Sequence, residues 1–585
     1  MARRSYVALL FTIVIVPLAI WLRPGRQSSL CRCYPGEPCW PSAGEWEALN
    51  VSISGNLLPI DPIGSVCHID SASYNSEQCA TLIARWSVPE THYSTPSSPM
   101  AAWWGNHSCS PFSPADSPCT NGPLAQYAAN VTSAADVKEV LKFTKSHNIR
   151  LVIRNTGHDY LGRSTGAGGV NLWTHNLKFI ETIPSYVSEG YNGPAMRIGA
   201  GVQGFEAQNA AHESGYVIVT GFCPDVGIAG GYTQGGGHGS LASRYGLAAD
   251  QVLEWEVVTA GGEQLTASPT QNADLYWALS GGGGGTYAVV LSMTVRVYPE
   301  EKTSVASLSF TSGAGTDATD VEHFWSVIKT FIVDTQSLLD DGGAHLWFVL
   351  PTSLTGGPLM FMAGPITLPG GGSEELQFHL ESTLLKLQEH EMPYQYTIND
   401  FPSYHAAVAT QPVNISDVHV GGRLISRASI QSQPDHFISA AKGIVELDTA
   451  FSGYHMNVSR PRNAKDQGFY SNAANPAWQT TASSVVIGIP FSHTDRQLNI
   501  DGQKLMTDVL MPKIDALVLP GEVAGIYGNE ADFNTPDWQT TFYGEHYDRL
   551  RAIKDKYDPD QIFYGRTGVG SDRWVEHADG RLCRL

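Results

Sequence analysis

Basic residues are scarce in this chain. Lys and Arg number 36 against 56 Asp and Glu, a net charge of −20 over 585 residues. So acidic a surface repels polyanions, which argues against nucleic acid and against anionic membrane surfaces as partners. No Gly-Lys-Ser/Thr closes either of the two glycine runs, so there is no Walker A phosphate loop. The α+β order of its elements is not that of a Rossmann unit. Internal repeats and long low-complexity tracts are absent. Zinc spacing is absent too, because Cys31-x-Cys33 is followed by no His or Cys at ligand distance.

What is present reads as a large secreted protein. The length suits two or three domains, and 42% hydrophobic residues support large cores. The basic start Met1–Ser5 precedes an apolar run, Tyr6–Leu22. That is the pattern of a secretory signal over residues 1–25. The run has no clean small-x-small cleavage site and is long enough to serve as an uncleaved anchor as well. After signal cleavage no membrane association is expected. Nine cysteines occur. Setting Cys223 aside leaves Cys31, Cys33, Cys39, Cys67, Cys79, Cys109, Cys119 and Cys583, an even set that reads as disulfides of open pairing. Sequons at Asn50, Asn106, Asn130, Asn414 and Asn457 fit the same route. Nothing in the sequence speaks to oligomeric state.

The stretch around which the chain is organised is Gly221–Gly239, GFCPDVGIAGGYTQGGGHG. Glycine serves where backbone takes positive φ or approaches a ligand closely. A flexible linker is the plain alternative, but linkers are polar, and this run carries Phe222, Val226, Ile228 and Tyr232. About seventy residues earlier, strand-like Leu151–Ile153 delivers Arg154-Asn155-Thr156-Gly157-His158-Asp159. Alone, His158 would be an ordinary loop histidine.

Together, the R-x-x-G-H-D turn and the G-x-C-P-x-V-G-x-x-G-G-x-x-x-G-G-G ribbon resemble the berberine bridge enzyme-like FAD-linked oxidoreductases of the vanillyl-alcohol oxidase (PCMH-type) superfamily. The resemblance runs from about Gly122 to the C-terminus. It implies an α+β fold: a PCMH-type two-part FAD-binding domain with an inserted substrate domain, an antiparallel sheet backed by helices. It also implies FAD held bicovalently, through His158 at the flavin 8α-methyl and Cys223 at C6. Tyr527-Gly528-Asn529 matches the family's C-terminal Tyr-x-Asn motif, which closes the active site.

Read in order, residues 26–120 are Pro-, Ser- and Cys-rich and predict a disulfide-pinned extension with little helix. Residues 121–300 form the FAD-binding domain, with a helix over Asp136–His147 and strands at Leu151–Arg154, Met196–Gly199, Val217–Thr220, Val252–Thr259 and within Thr286–Pro299. Residues 301–505 form the substrate domain, with helices over Asp320–Leu339, Glu374–Glu389 and His436–Glu446 and strands at His345–Leu350, Leu359–Ala363, Ala450–Val458 and Ser484–Ile489. Residues 506–585 return to the FAD domain.

A flavin needs a cradle for its pyrophosphate, contacts to its ring and exclusion of competing chemistry. The cradle is expected from the Asn155–Tyr160 turn, including Thr156, Gly157 and Asp159, and from Gly235, Gly236, Gly237 and Gly239, with Gly227 on the ribbon. Arg154 either adds charge or makes a strand-end salt bridge, and Tyr564 either contacts flavin or packs. Tyr527 is the first choice of base, oriented by Asn529, with Glu530 and Asp532 as alternatives. Val226 is placed to line the approach of O₂, and a small residue there implies oxygen reactivity. The expected activity is oxidation of a hydroxyl- or amine-bearing small molecule, a carbohydrate or secondary metabolite, by hydride transfer to FAD, with O₂ reduced to H₂O₂. Rival readings are a dehydrogenase with another acceptor, a flavin-loaded binding protein without turnover, and a sugar-binding module without flavin.

Overall fold

The computed structural model describes residues 31–313, 318–408, 414–459 and 470–585. The expected signal segment lies outside these residues. Among the described residues no helix is long and apolar enough to cross a membrane.

Two sheets make the FAD-binding part. The first has the strand order Leu57–Pro59, Tyr127–Asn130, Val170–Trp173, Leu151–Arg154, and its last three strands are parallel. Helix Ala134–Ser146 leads into it. Ser133 Oγ caps this helix by accepting from the Asp136 amide, and Val137, Val140 and Leu141 are buried against the sheet. The second sheet is antiparallel, in the order Ile180–Ser188, Tyr191–Gly199, Ala288–Arg296, Val252–Thr259, Gln264–Ala267. Its central strand, Ala288–Arg296, is buried at every position, with Ser292, Thr294 and Arg296 among its buried residues.

The third sheet is the antiparallel floor of the substrate domain. Its seven strands run in the order Tyr394–Phe401, Thr303–Thr311, Met360–Pro369, Ala344–Leu350, Ala450–His455, Thr481–Pro490, Val418–Ser426. Helices Ala318–Asp334, Glu381–Glu389 and Pro434–Val445 back it. Phe324, Phe331, Trp347, Phe361, Phe437 and Phe451 interlock between the layers. The α+β architecture is therefore the expected one.

The eight cysteines outside the ribbon form four disulfides: Cys31–Cys583, Cys33–Cys39, Cys67–Cys79 and Cys109–Cys119. The first ties the start of the described chain to its end. Two expected boundaries move. The N-terminal extension is not poor in helix: it holds helices Ala43–Ser52 and Ser76–Ala84, and its strand Leu57–Pro59 completes the first sheet. Residue 505 is not a domain edge. Helix Arg496–Leu505 continues through Met506–Leu510 and Met511–Asp515, and Met506, Leu510 and Ile514 bury into the substrate-domain core.

Candidate active site

The His158 turn leaves the end of strand Leu151–Arg154. Arg154 is wholly buried. Its Nη2 donates to the carbonyls of His92 (3.3 Å), Thr95 (3.2 Å) and Thr156 (3.4 Å), stapling the N-terminal extension onto the turn. It makes no strand-end salt bridge, and burial pulls its pKa down to about 10 with Asp159 only partly offsetting. Gly157 sits at φ +93°, where a Cβ would lie 2.6 Å from Arg154 Nη2, so only glycine fits. Asp159 accepts from the amides of Leu161 (3.0 Å), Ser164 (2.8 Å) and Arg163, which spends its carboxylate on folding the next loop. Among the described residues the backbone N–H groups from Thr156 through Tyr160 meet no acceptor. Consecutive free amides on a turn form an anion-binding concavity.

Asn155 locks this turn to the glycine ribbon. Its Nδ2 donates to Ala200 O at 2.7 Å, and its carbonyl accepts from Trp173 Nε1 at 3.0 Å. Gly227 lies so close that a Cβ there would be 2.3 Å from Asn155 Nδ2. The second glycine run is tied in as well, since Gly281 and Gly283 amides donate to Gln234 O at 3.1 and 2.7 Å. Asn155 Oδ1, His158 Nε2 and Gln234 Oε1 are buried polar atoms without partners, all on these segments. Native interiors rarely leave such atoms orphaned, so they mark where a polar ligand belongs.

Burial, His92 and Arg154 hold the His158 imidazole at a pKa of about 4, so it is neutral with a free nitrogen lone pair. Cys223 is the free thiol of the described chain, and burial pushes its pKa up to about 11. As it stands it is a protonated, unreactive thiol rather than an activated thiolate.

Past Cys223 the walls are aromatic. Phe222 stacks on Tyr454 with ring centroids 5.0 Å apart. His238 lies 4.8 Å from Tyr454 and 4.9 Å from Tyr527, with Trp478 behind both at 5.7 and 5.9 Å. Glu530 Oε2 stands 3.4 Å from His238 Nε2. Asn529 Nδ2 donates to Tyr527 Oη and to Gly231 O, both at 2.8 Å, bolting the C-terminal Tyr-Gly-Asn onto the ribbon. Tyr160, 38% exposed, is close enough to feel the Glu530 carboxylate.

Two family models match the chain. One described as "FAD binding domain" covers residues 125–268, and one described as "Berberine and berberine like" covers 526–570. The FAD-linked oxidoreductase sor8 of Hypocrea jecorina is 43% identical over 566 residues, 96% of this chain and 95% of that one. The VAO-type flavoprotein oxidase VAO615 of Thermothelomyces thermophilus is 38% identical over 573 residues, 96% of each chain. The crystal structure of the VAO-type flavoprotein MtVAO615 from Myceliophthora thermophila C1 superposes with a TM-score of 0.88 at 37% identity, covering 95% of this chain and 100% of that one. The chain is an FAD-linked oxidoreductase of the berberine bridge enzyme-like family.

Several sequence expectations take a different form in this oxidoreductase. The Gly235–Gly237 run is not a phosphate cradle. The amides of Gly235 and Gly236 donate within the ribbon, to Gly231 O (2.9 Å) and Thr233 O (3.1 Å), and that of Gly237 points to Tyr527. The carbonyls of Gly236 and Gly237 accept from Ala249 and Ala248, both at 2.8 Å. The glycines are there for closeness: a Cβ on Gly235 would meet Asn529 Nδ2 at 2.6 Å and one on Gly239 would meet Thr220 O at 2.0 Å. Tyr564 packs, lying under the Arg150 guanidinium at 5.4 Å. Val226 is half-buried against the FAD-domain core, its carbonyl accepting from Gly204 N at 2.9 Å.

The proton machinery also differs. Tyr527 is 4% exposed, and burial together with the Glu530 carboxylate drives its pKa above the ordinary tyrosine value, despite the Asn529 and Gly237 donors. A phenol in that setting holds its proton at neutral pH and can donate a hydrogen bond. Asp532 is fully buried and spent: it accepts from Thr507 Oγ1 at 2.6 Å and Asn534 N at 3.0 Å, and stands 3.4 Å from His419. Of the two acids, Glu530 is the one set beside the aromatic cluster, through His238. Tyr160, His238 and Tyr454 escaped the sequence reading. His238 sat in plain view within the ribbon, whereas Tyr454 comes from a strand more than two hundred residues away.

Proposed function

We propose that this oxidoreductase holds its FAD through both His158 and Cys223 and acts as a secreted oxidase of hydroxyl- or amine-bearing small molecules, with O₂ as acceptor and H₂O₂ as product. One observation carries the reading. Cys223 is left free while the other eight cysteines pair, and it stands on a ribbon that Asn155 clamps to the turn bearing a neutral His158. An isolated free thiol in a disulfide-bonded protein has a reason to be kept free.

Bound FAD supplies a two-electron acceptor ring. The residues present fit it: the free amides of Thr156–Tyr160 suit its pyrophosphate, and the orphaned Asn155 Oδ1 and Gln234 Oε1 offer acceptors for its polar hydrogens. Beside it, Glu530 takes the proton from the substrate hydroxyl or amine. Tyr527 holds its own proton and hydrogen-bonds the substrate heteroatom, with Asn529 fixing its ring. Phe222, Tyr454 and Trp478 exclude water and stack on the substrate, which strengthens each of these polar contacts. Val226, half-buried on the ribbon, leaves an approach open to O₂. Four disulfides and the sequon at exposed Asn414 accord with an oxidising, secretory destination.

The test is a panel of sugars, aromatic alcohols and amines mixed with the purified yellow protein. Bleaching without oxygen and peroxide formation with oxygen are expected. Bleaching without peroxide would establish a dehydrogenase instead.

A further inference from the structure

Among the described residues Glu530 is the carboxylate paired into the aromatic cluster, through His238, and no Lys or Arg pairs with it. Its side chain is 20% exposed, with Oε2 at 3.4 Å from His238 Nε2. His238 is 4% exposed and its Nδ1 has no partner, so the carboxylate is the ring's polar tie. The other groups around the cleft are Phe222, Tyr454, Tyr527 and Trp478, whose rings lie within 6 Å of a neighbour in the cluster. The charges bearing on the Tyr160 hydroxyl are the Glu530 and Asp417 carboxylates, and Glu530 bears on Tyr454 as well. Every one of these disfavours a second negative charge.

Among the described residues no Lys or Arg pairs with Glu530: Arg154 is buried on carbonyls, Arg244 pairs with Glu301, and Arg423 pairs with Asp515. A substrate carboxylate or phosphate entering the cleft would therefore meet Glu530 in a low-dielectric, aromatic setting without a compensating cation, where like-charge repulsion is poorly screened. An ammonium would meet a carboxylate and the faces of Phe222 and Tyr454, which suit a cation.

We propose that Glu530 fixes the substrate class of this oxidoreductase: uncharged or cationic aromatic hydroxy or amino compounds are admitted, and anionic ones are rejected. The inference rests on the reading above that this cleft is where substrate binds.

The test uses three phenols that lack an oxidisable carbinol or amine: phenol, para-hydroxybenzoate and para-hydroxyphenyl-trimethylammonium. Their affinities for the flavin-loaded full-length protein are measured by calorimetry and by perturbation of the flavin absorption, so no turnover is needed. The carboxylate is expected to bind at least about tenfold more weakly than phenol, and the ammonium at least as tightly as phenol. In Glu530→Gln the carboxylate penalty should shrink below about threefold. Raising salt from about 0.01 M to about 1 M should narrow the gap in the wild-type protein, which serves if the variant folds poorly. Equal or tighter binding of the carboxylate, a penalty unchanged in Glu530→Gln, or binding of none of the three overturns the proposal. Loss of peroxide formation or release of free FAD would instead refute the oxidase reading, leaving the charge order of binding to be judged on its own.

Discussion

Replacing Gly227 by alanine drives a methyl carbon into the Asn155 amide. The backbone raises no objection, since φ there is −67°. The new Cβ would stand 2.3 Å from Asn155 Nδ2 and 2.7 Å from its Cγ, so the amide must move and break its 2.7 Å bond to Ala200 O. Overpacking costs about 1–3 kcal/mol. Stranding a buried carbonyl adds about 1–3 kcal/mol. The expected loss is roughly 2–6 kcal/mol, a large share of the ~5–15 kcal/mol typical of a folded domain. Denaturant unfolding reads the stability, and the flavin-to-protein absorbance ratio reads whether the His158 turn still holds its cofactor. Asn155→Ala removes the obstructing amide. The double variant should therefore be more stable than the sum of the single losses predicts, by at least about 1 kcal/mol. A Gly227→Ala protein of wild-type stability and flavin content, or strictly additive losses, would refute the claim that Asn155 locks turn to ribbon.

Three further outcomes follow from the same geometry. Glu530→Gln should slow anaerobic flavin reduction by roughly 10²–10⁴-fold, the usual worth of a positioned base, while Tyr527→Phe should cost less; the reverse order in stopped-flow would make Tyr527 the base after all. The His345 and His455 rings lie 4.6 Å apart, tilted by 50°, in the substrate-domain core, and burial holds His455 at a pKa of about 3 and His345 well below its ordinary value. Their folded pKa values lie below the unfolded one, so their stability contribution is full above about pH 6.5 and falls as pH drops, by about 1.4 kcal/mol per unit for each; a denaturation midpoint flat between about pH 6.5 and 4.5 would contradict this. Val226→Leu should slow reoxidation of the reduced protein by O₂ and leave anaerobic reduction nearly intact, and stopped-flow mixing with oxygenated buffer would show equal rates if oxygen arrives another way.

Much of the fold was legible where periodicity was clean. The strands at Leu151–Arg154 and Val252–Thr259 fall where the apolar runs place them, and the helix expected from Asp136 starts at its Ser133 cap. Sheet edges were harder to read. Tyr394–Phe401 alternates between half-buried and exposed, so its apolar signal is too weak to stand out, and Val418–Ser426 is interrupted by Gly421 and Gly422. The expected strand Val217–Thr220 shrinks to Tyr216–Val217, because the chain is already turning into the ribbon at Gly221. At the site, spacing could find His158, Cys223 and Tyr527, since each belongs to a compact motif. It could not tell a glycine that frees an amide from one that admits a neighbour. Of the two expected cradles, that distinction leaves the Thr156–Tyr160 amides free and the Gly235–Gly237 amides engaged. Nor could it see how deeply Tyr527 is buried, which together with the Glu530 carboxylate raises its pKa above the ordinary tyrosine value.

The central claim is that one flavin is held by two side chains on two clamped segments. Proteolysis of the acid-precipitated yellow protein, followed by mass spectrometry, tests it most directly. The account predicts a single flavin-bearing species joining the peptide of His158 to the peptide of Cys223, with His158→Ala and Cys223→Ala each leaving one link and only the double change releasing the cofactor. Free FAD in the acid supernatant of the native protein, or a flavin on one peptide with an alkylatable Cys223 thiol, would contradict it.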